Sequence, residues 1–232
     1  MIRGLVFDKD GTLFDFKTTW NAWTAGLIRR FAQGNPEREA ALAEAAHFDL
    51  TRQCFLPSSP IIAGTNREAA EIFARIVTEH SVEELEEILM NATLDAPQSE
   101  VVPLADYFAD LHARSFKTGV VTNDTETGAY AHLRQASATA HLDFIAGFDS
   151  GYGAKPAPDP LLAFAKYVGL QPAEIAMVGD SMHDLVAAKR AGMYRIGVLT
   201  GMATYDDLAP YADVVLPHIG HILTHLQNLQ ND

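Results

Sequence analysis

Apolar and polar positions follow two alternating periods over the second half of the chain, from about residue 103 onward. Short apolar runs bounded by turn residues predict strands, and apolar positions three to four residues apart predict helices. The predicted elements are, in chain order, a strand over 5–7, a helix over 103–114, a strand ending at 122, a helix over 127–135, a strand over 142–148, a helix from 159, a strand over 175–178, a helix over 185–191, strands over 195–199 and 214–216, and a helix over 219–229. This rhythm predicts an α/β fold with a doubly wound parallel sheet, and such folds bind ligands at the carboxyl edge of the sheet.

Residues 15–101 show a different pattern, because strand signals fade and helix-capping residues multiply. Three segments are typical of helix starts, namely Asn35-Pro36, Thr65-Asn66-Arg67-Glu68 and Ser81-Val82-Glu83-Glu84. We therefore predict a small α-helical cap domain over 15–101, inserted into an α/β core formed by 1–14 and 102–232.

The composition limits the possible classes of function. A chain of 232 residues with 48% hydrophobic residues can bury one sizeable core and a smaller unit. Its formal net charge of -13 argues against a broad nucleic-acid surface, which needs an extended basic patch. No apolar run approaches the roughly 18 residues of a membrane span, and no signal-peptide core precedes the first motif. Cys54, the single cysteine, excludes an internal disulfide, so we expect a cytoplasmic protein.

The most informative segment is the first strand, which delivers Asp8 and Asp10 to a sharp turn at Gly11. Buried carboxylates need a cation, backbone donors or water. Magnesium prefers carboxylate and phosphate oxygens, and an aspartate can itself attack phosphorus to give an aspartyl-phosphate. The pattern therefore indicates a phosphoryl-transfer nucleophile beside a magnesium site. An ordinary strand-to-turn junction is the alternative, since Asp-Gly pairs are common in turns.

Two further segments carry groups that suit a phosphate ligand. Thr122 and Asn123 end a second apolar strand and can donate to phosphate oxygens without adding charge. In the alternative interpretation, Asn123 or Asp124 only caps the helix that follows. Lys155 lies between glycines, which loosen the backbone, and prolines, which stiffen it, and its charge can neutralise a phosphate dianion. The alternative is an ordinary lysine of a surface loop.

A last segment places two carboxylates after the strand over 175–178. Asp180 ends the strand behind Gly179, and Asp184 lies one helical turn later. Asp184 can therefore support Asp180 or a metal-bound water. Ser181 as the helix N-cap, with an acid in the first turn, would also explain Asp184 but not the turn at Asp180.

In this order the four segments, D-x-D-G-T, a strand ending in Thr-Asn, G-x-K-P-x-P and G-D-S-x-x-D, resemble the haloacid dehalogenase (HAD) superfamily. The resemblance covers the whole chain and is closest to phosphatases of the phosphoglycolate phosphatase and beta-phosphoglucomutase type. It implies a HAD-like Rossmannoid core, an inserted cap that closes over the substrate and selects it, and Mg²⁺ as cofactor.

The resemblance also implies catalytic roles for five residues. Asp8 would be the nucleophile, and Asp10 the general acid and then the general base. Thr122 and Asn123 would bind the transferring phosphoryl group, and Lys155 would offset the charge on both this group and Asp8.

The implied metal ligands come from two segments of the chain. Asp8 would bind Mg²⁺ through its carboxylate and Asp10 through its main-chain carbonyl. Asp180 would complete the protein ligands, and Asp184 would assist through a water or through Lys155.

The function expected from these motifs is a Mg²⁺-dependent phosphatase that hydrolyses a phosphoric monoester of a small metabolite, with 2-phosphoglycolate as the leading substrate. One alternative is a sugar phosphomutase, which would use the same aspartates. The other alternative is a non-catalytic phosphate-binding module. This alternative is weaker, because such a module would have no need to keep the nucleophile Asp8. We expect a monomer or homodimer that binds neither nucleic acid nor a membrane.

Several residues outside the motifs allow two interpretations. Strand alternation would turn Lys9 away from both neighbouring aspartates, to pair with a carboxylate behind the site or, as we favour, to reach solvent. Trp20 and Trp23 lie at helical spacing and are more typical of a core than of a binding stack. Arg52 and Arg67 are typical of a helix surface, although either could meet a substrate carboxylate or a second phosphate.

Overall fold

The computed structural model describes residues 1–62, 64–94, 96 and 98–229. Contacts divide the chain into two units, Met1–Asp15 with Ser99–Asp232, and Phe16–Gln98. The first unit thus includes residues 15 and 99–101, which lie within the predicted insertion over 15–101. None of the helices in these described ranges is long and apolar enough to cross a bilayer.

The first unit is built on a six-stranded sheet whose paired strands all run parallel. Its elements are β1 (Gly4–Phe7), α5 (Leu104–Ala113), β4 (Lys117–Val121), α6 (Glu126–Gln135), β5 (Phe144–Ala146), α7 (Asp159–Val168), β6 (Ile175–Gly179), α8 (Met182–Ala191), β7 (Tyr194–Val198), α9 (Tyr205–Leu208), β8 (Val214–Leu216) and α10 (Ile222–Asn228). Short 3₁₀ turns lie at Thr139–His141, Pro172–Glu174 and Ile219–His221. The strand order β5-β4-β1-β6-β7-β8 confirms the predicted doubly wound sheet.

Two hydrophobic clusters cover the faces of this sheet. Leu5 and Phe7 of β1 belong to one cluster, which includes apolar residues of α5, α6 and α10. Val6, between them, belongs to the other cluster, with apolar residues of α7 and α8. Because side chains alternate along a strand, a strand buried on both faces is continuously apolar, and β1 is buried at every position. The central strands thus bring the residues that follow them to one buried edge.

The second unit contains α1 (Phe16–Ala32), α2 (Pro36–Ala45), α3 (Asn66–Phe73) and α4 (Val82–Leu94). Asn35 caps α2 by accepting hydrogen bonds from two backbone N–H groups, and Thr65 forms a capping box with Glu68 at α3. A small antiparallel sheet, β2 (Phe48–Asp49) with β3 (Cys54–Phe55), was not predicted. Strands of two residues are too short to show alternation, so hydrophobic periodicity does not reveal them.

Candidate functional site

Asp8 lies directly beyond the end of β1, where the chain leaves the sheet. Its N–H donates to the carbonyl of Val178 at 2.9 Å, which extends the pairing with β6 by one residue. Gly11 then adopts a φ of 79°, a left-handed conformation that favours glycine. The N–H of Leu13 donates to the carbonyl of Lys9 at 2.9 Å and closes the turn. The first motif is thus a fixed strand-to-turn junction with a carboxylate at its start.

Lys155 joins two of the predicted carboxylates. Its Nζ lies 2.6 Å from Oδ1 of Asp8 and 2.6 Å from Oδ1 of Asp184. All three residues are buried. Residues from the first, third and fourth motifs therefore meet in one cluster, as expected for residues that converge at the carboxyl edge of the sheet.

Asn123 holds the backbone of Lys155. Its Nδ2 donates to the carbonyl of Lys155 at 2.9 Å, and its Oδ1 accepts from the N–H of Lys155, also at 2.9 Å. Thr122, buried beside it, accepts the N–H of Asp124 at 3.1 Å through Oγ1. The helix that follows is capped by Thr125 rather than by Asn123 or Asp124, so that alternative interpretation is wrong. The phosphoryl-binding roles of Thr122 and Asn123 stay predictions.

Asp184 takes part in the helix cap at Ser181 and also contacts a residue of the cluster, Lys155. Its Oδ2 accepts from the N–H and the hydroxyl of Ser181, at 3.1 and 2.7 Å, in a capping box that begins α8. Its Oδ1 binds Lys155. The helix cap therefore orients the carboxylate so that its other oxygen meets the lysine.

Asp180 lies in a narrow recess formed by two glycines. A Cβ on Gly11 would come within 2.4 Å of Asp180 Oδ2, and one on Gly201 within 1.7 Å. The hydroxyl of Thr200 donates to the carbonyl of Gly11 at 2.6 Å and ties the two loops together. Thr200 and Gly201 were not among the predicted site residues. Their position just after β7, at the same sheet edge as Asp180, is the signal that could have identified them.

Burial and crowding of like charges dominate the electrostatics of this cluster. Burial raises the pKa of Asp8 to about 7, with Asp184 and Asp10 adding to the rise and Lys155 opposing it. Burial also raises the pKa of Asp180 well above its usual range, and the charges of Asp8 and Asp184 add to this. Burial alone would lower the pKa of Lys155, but Asp184 and Asp8 outweigh it and raise that pKa. The positive charge of Lys155 therefore does not balance the negative charge that Asp8, Asp180 and Asp184 would carry together.

The donor set of this cluster fits a divalent cation. Carboxylate oxygens of Asp8, Asp180 and Asp184 lie within 4.8 Å of one another, and all three residues are buried. Hard oxygen donors of this kind suit Mg²⁺. A cation would offset the like charges that, together with burial, raise the pKa values of Asp8 and Asp180.

Lys9 is fully buried, so the expectation that it reaches solvent is wrong. Its Nζ lies 2.8 Å from Oδ2 of Asp10, 3.1 Å from Oδ2 of Asp124 and 2.9 Å from Nδ1 of His132. Strand alternation fails here because β1 ends at Phe7, and the turn brings neighbouring side chains to the same side. Burial would lower the pKa of Lys9, but Asp10 and Asp124 outweigh it and raise that pKa.

Candidate residues of the second unit have structural partners of their own. Trp20 is buried, as expected for a core residue, and its ring packs edge to face on the half-buried Trp23 with 5.2 Å between ring centroids. Arg67 pairs with Glu83 at 3.0 Å and Glu86 at 3.2 Å. Arg52 has a side chain 79% exposed, and its Nε lies 3.8 Å from Asp49. These contacts are all within the protein, so they do not assign Trp20, Trp23, Arg52 or Arg67 to the binding of a ligand.

The chain matches one family model and is similar to several phosphatases of known sequence. The family model described as haloacid dehalogenase-like hydrolase matches residues 2–192. The phosphoglycolate phosphatase of Salmonella typhi is 29% identical over 137 residues, which cover 56% of this chain and 54% of that protein. The chain thus spans about half the length of this relative. The phosphoglycolate phosphatase of Shigella boydii serotype 4 is 28% identical over 253 residues, covering 99% of this chain and 96% of that protein.

Solved structures share the fold at lower sequence identity. A crystal structure described as a predicted phosphoglycolate phosphatase from Haemophilus somnus 129PT aligns with a TM-score of 0.71 and 19% identity, covering 97% of this chain and 98% of that one. The beta-phosphoglucomutase of Clostridium difficile aligns with a TM-score of 0.67 and 18% identity, covering 100% and 98%. At these identities the likeness shows a common fold.

Proposed function

We propose that this chain, which belongs to the haloacid dehalogenase-like hydrolases, is a phosphatase that hydrolyses a small phosphorylated metabolite through an aspartyl-phosphate. The observation that carries the proposal is the contact of Lys155 with both Asp8 and Asp184 beside Asp180. An ordinary strand-to-turn junction has no need of three buried carboxylates around a buried lysine. The curated phosphoglycolate phosphatases among its relatives make 2-phosphoglycolate the leading substrate.

In the first chemical step, a carboxylate oxygen of Asp8 attacks phosphorus and the bond from phosphorus to the ester oxygen breaks. Asp10 gives its proton to that ester oxygen, so that the product leaves as an alcohol instead of an alkoxide. In the second step a water attacks the phosphorus of the aspartyl-phosphate, and Asp10 takes the proton of that water. Inorganic phosphate leaves, and Asp8 and Asp10 return to their starting states.

The remaining residues support charge and alignment. Lys155, next to Asp8, offsets negative charge on the transferring phosphoryl group, and the hydroxyl of Thr122 donates to one of its oxygens. Asn123 keeps Lys155 in place through the two hydrogen bonds to its backbone. Asp8, Asp180 and the main-chain carbonyl of Asp10 would hold Mg²⁺, with Asp184 assisting. When bound, Mg²⁺ would supply positive charge that stabilises the phosphoryl oxygens during transfer.

Phosphate release from a panel of small phosphoesters tests this function. The panel holds 2-phosphoglycolate, several sugar phosphates and nucleoside monophosphates, each assayed with Mg²⁺ and with chelator. We expect Mg²⁺-dependent release from at least one ester and its loss in Asp8→Asn, with circular dichroism showing that the variant is folded. Release that persists in folded Asp8→Asn would refute the aspartyl-phosphate route.

A sugar phosphomutase would use the same aspartates but return the phosphoryl group to a sugar instead of to water. The panel therefore includes a sugar monophosphate with a small amount of the corresponding bisphosphate. Isomerised sugar phosphate without phosphate release would identify the mutase. Binding of phosphoesters with neither product would identify a phosphate-binding module.

A further inference from the structure

Lys9 forms the centre of a second buried ion-pair cluster, distinct from the one around Lys155. Three groups lie close to the Nζ of Lys9: the carboxylates of Asp10 and Asp124 at ion-pair distances of 2.8 and 3.1 Å, and Nδ1 of His132 at a hydrogen-bond distance of 2.9 Å. Lysine has no acceptor, so Nδ1 of His132 must accept this hydrogen bond. Side chains from the first turn and from around α6 thus converge on a fully buried charge.

The partners of Lys9 are themselves fixed by the fold. Asp124 accepts the N–H of Thr125 at 2.7 Å through Oδ1, and its carbonyl accepts the N–H of Phe148 at 3.0 Å. His132 is fully buried on α6, and its ring packs edge to face on Phe14 with 6.5 Å between the ring centroids. Lys9 therefore connects Asp10 to buried and hydrogen-bonded residues of the core.

The two aspartates of the first motif pair with different lysines. Asp8 contacts Lys155, and Asp10 contacts Lys9. Burying a lysine beside two carboxylates is costly unless the geometry is good, and a purely apolar residue would fill the same volume without that cost. A buried lysine at position 9 therefore needs a functional explanation. Its most direct effect is on the position of the Asp10 carboxyl group, which it contacts.

We propose that Lys9 is a positioning residue for Asp10: its ammonium group, 2.8 Å from Oδ2, orients the carboxyl group so that the other oxygen, Oδ1, can carry the proton that goes to the leaving group. The inference rests on the proposed function, because it takes Asp10 as the general acid. It extends that function by assigning a role to the residue between the two aspartates. Asp124 and His132 act in turn by holding Lys9.

The dependence of the rate on the leaving group tests this role. An aryl phosphate such as p-nitrophenyl phosphate releases a stable phenolate and needs little help from an acid, whereas an alkyl phosphate does need it. The value of kcat/KM reports the steps up to the first irreversible one, which is transfer to Asp8. We expect Lys9→Met to lower kcat/KM for an alkyl phosphate by about 100-fold, while kcat/KM for the aryl phosphate changes by less than about threefold.

A merely structural role for Lys9 would lower both rates together, and that result would overturn the proposal. Lys9→Met leaves Asp124 buried without its ammonium partner, so this variant can fail to fold. The double variant Lys9→Met/Asp124→Asn removes one positive and one negative charge and keeps the test available. It is expected to show the same selective loss with the alkyl phosphate, and equal losses with both substrates would count against the proposal.

A double-mutant cycle separates this inference from the proposed function. Asp10→Asn should produce the selective loss by itself, and adding Lys9→Met to it should change the alkyl-to-aryl ratio by less than about twofold. An additive second loss would show that Lys9 acts elsewhere. If the wild-type protein releases phosphate from neither ester nor from any ester of the panel, the proposed function fails. If the wild type is active and Lys9→Met keeps the wild-type ratio, only the inference fails.

Discussion

Nζ of Lys155 lies 2.6 Å from Oδ1 of Asp8, although 147 positions separate the two residues in the chain. The same ammonium group contacts Asp184 at 2.6 Å. Asn123, which follows β4, fixes the backbone of Lys155, and the helix cap at Ser181 fixes Asp184. One salt bridge thus depends on three separate parts of the sheet edge being in place, and it exists only in the folded chain.

Replacement of Lys155 by Met should lower both kcat/KM and the free energy of unfolding. We expect kcat/KM to fall by at least about 100-fold, because charge on the transferring phosphoryl group would lose its nearest lysine. In chelator, the free energy of unfolding should fall by roughly 3–5 kcal/mol, because two buried carboxylates lose their partner. Steady-state kinetics and urea denaturation measure these effects. Lys166→Met, at an exposed position of α7, is the matched control and should leave both quantities unchanged.

Gly201→Ala should disturb the carboxylate of Asp180. An added Cβ would come within 1.7 Å of Asp180 Oδ2, so either the carboxylate or the loop must move. We expect weaker Mg²⁺ binding, measured by calorimetric titration, and a parallel loss of phosphate release. Gly26→Ala, in α1, is the control because its added Cβ would meet no atom within 4 Å beyond its chain neighbours and the backbone of its own helix. Mg²⁺ affinity equal to wild type in Gly201→Ala would contradict the prediction that this recess fixes the Asp180 carboxylate for Mg²⁺ binding.

The effect of Mg²⁺ on stability should depend on pH. The pKa of Asp8 rises from 3.8 to about 7 on folding, so the folded protein binds this proton more tightly than the unfolded chain. Without a divalent cation, the free energy of unfolding should therefore fall as pH rises between these two values. A cation that replaces the proton should raise Tm more at pH 7.5 than at pH 5.5. Thermal denaturation with Mg²⁺ and with chelator measures both effects.

Asp8→Asn serves as the control for this pH dependence, since it removes the titrating carboxyl group. The variant should show a smaller Mg²⁺ shift and a smaller difference between the two pH values than the wild type. The remaining difference would come from Asp180, whose pKa burial also raises. An equal Mg²⁺ shift at both pH values in the wild type would contradict a cation site that includes Asp8.

The strands and the motif residues were predictable because their signals are local. Val214–Leu216 has the predicted bounds of β8, and β6 at Ile175–Gly179 exceeds its prediction by one residue. Asp8 and Asp180 follow apolar strands directly, and in a parallel sheet the ends of neighbouring strands meet. Sequence order alone therefore predicted that these carboxylates lie at one edge.

Other features depend on residues that are distant in the chain. Lys9 was expected in solvent, because its pairing with Asp124 and His132 involves positions more than a hundred residues away. The recess around Asp180 depends on Gly201, whose closeness to that carboxylate becomes visible only when β6 and β7 are paired. Neither hydrophobic periodicity nor turn propensity carries such information.

Asp10→Asn with p-nitrophenyl phosphate tests the central claim, covalent catalysis by Asp8, most directly. This substrate needs little acid assistance, so phosphoryl transfer to Asp8 should proceed, whereas hydrolysis of the aspartyl-phosphate needs Asp10 as base. We predict a burst of about one nitrophenolate per protein molecule and, after acid quenching, a phosphorylated peptide that contains Asp8, seen by mass spectrometry. Asp8→Asn/Asp10→Asn should show neither. Continued turnover of Asp10→Asn without a burst and without a phosphorylated peptide would contradict the account.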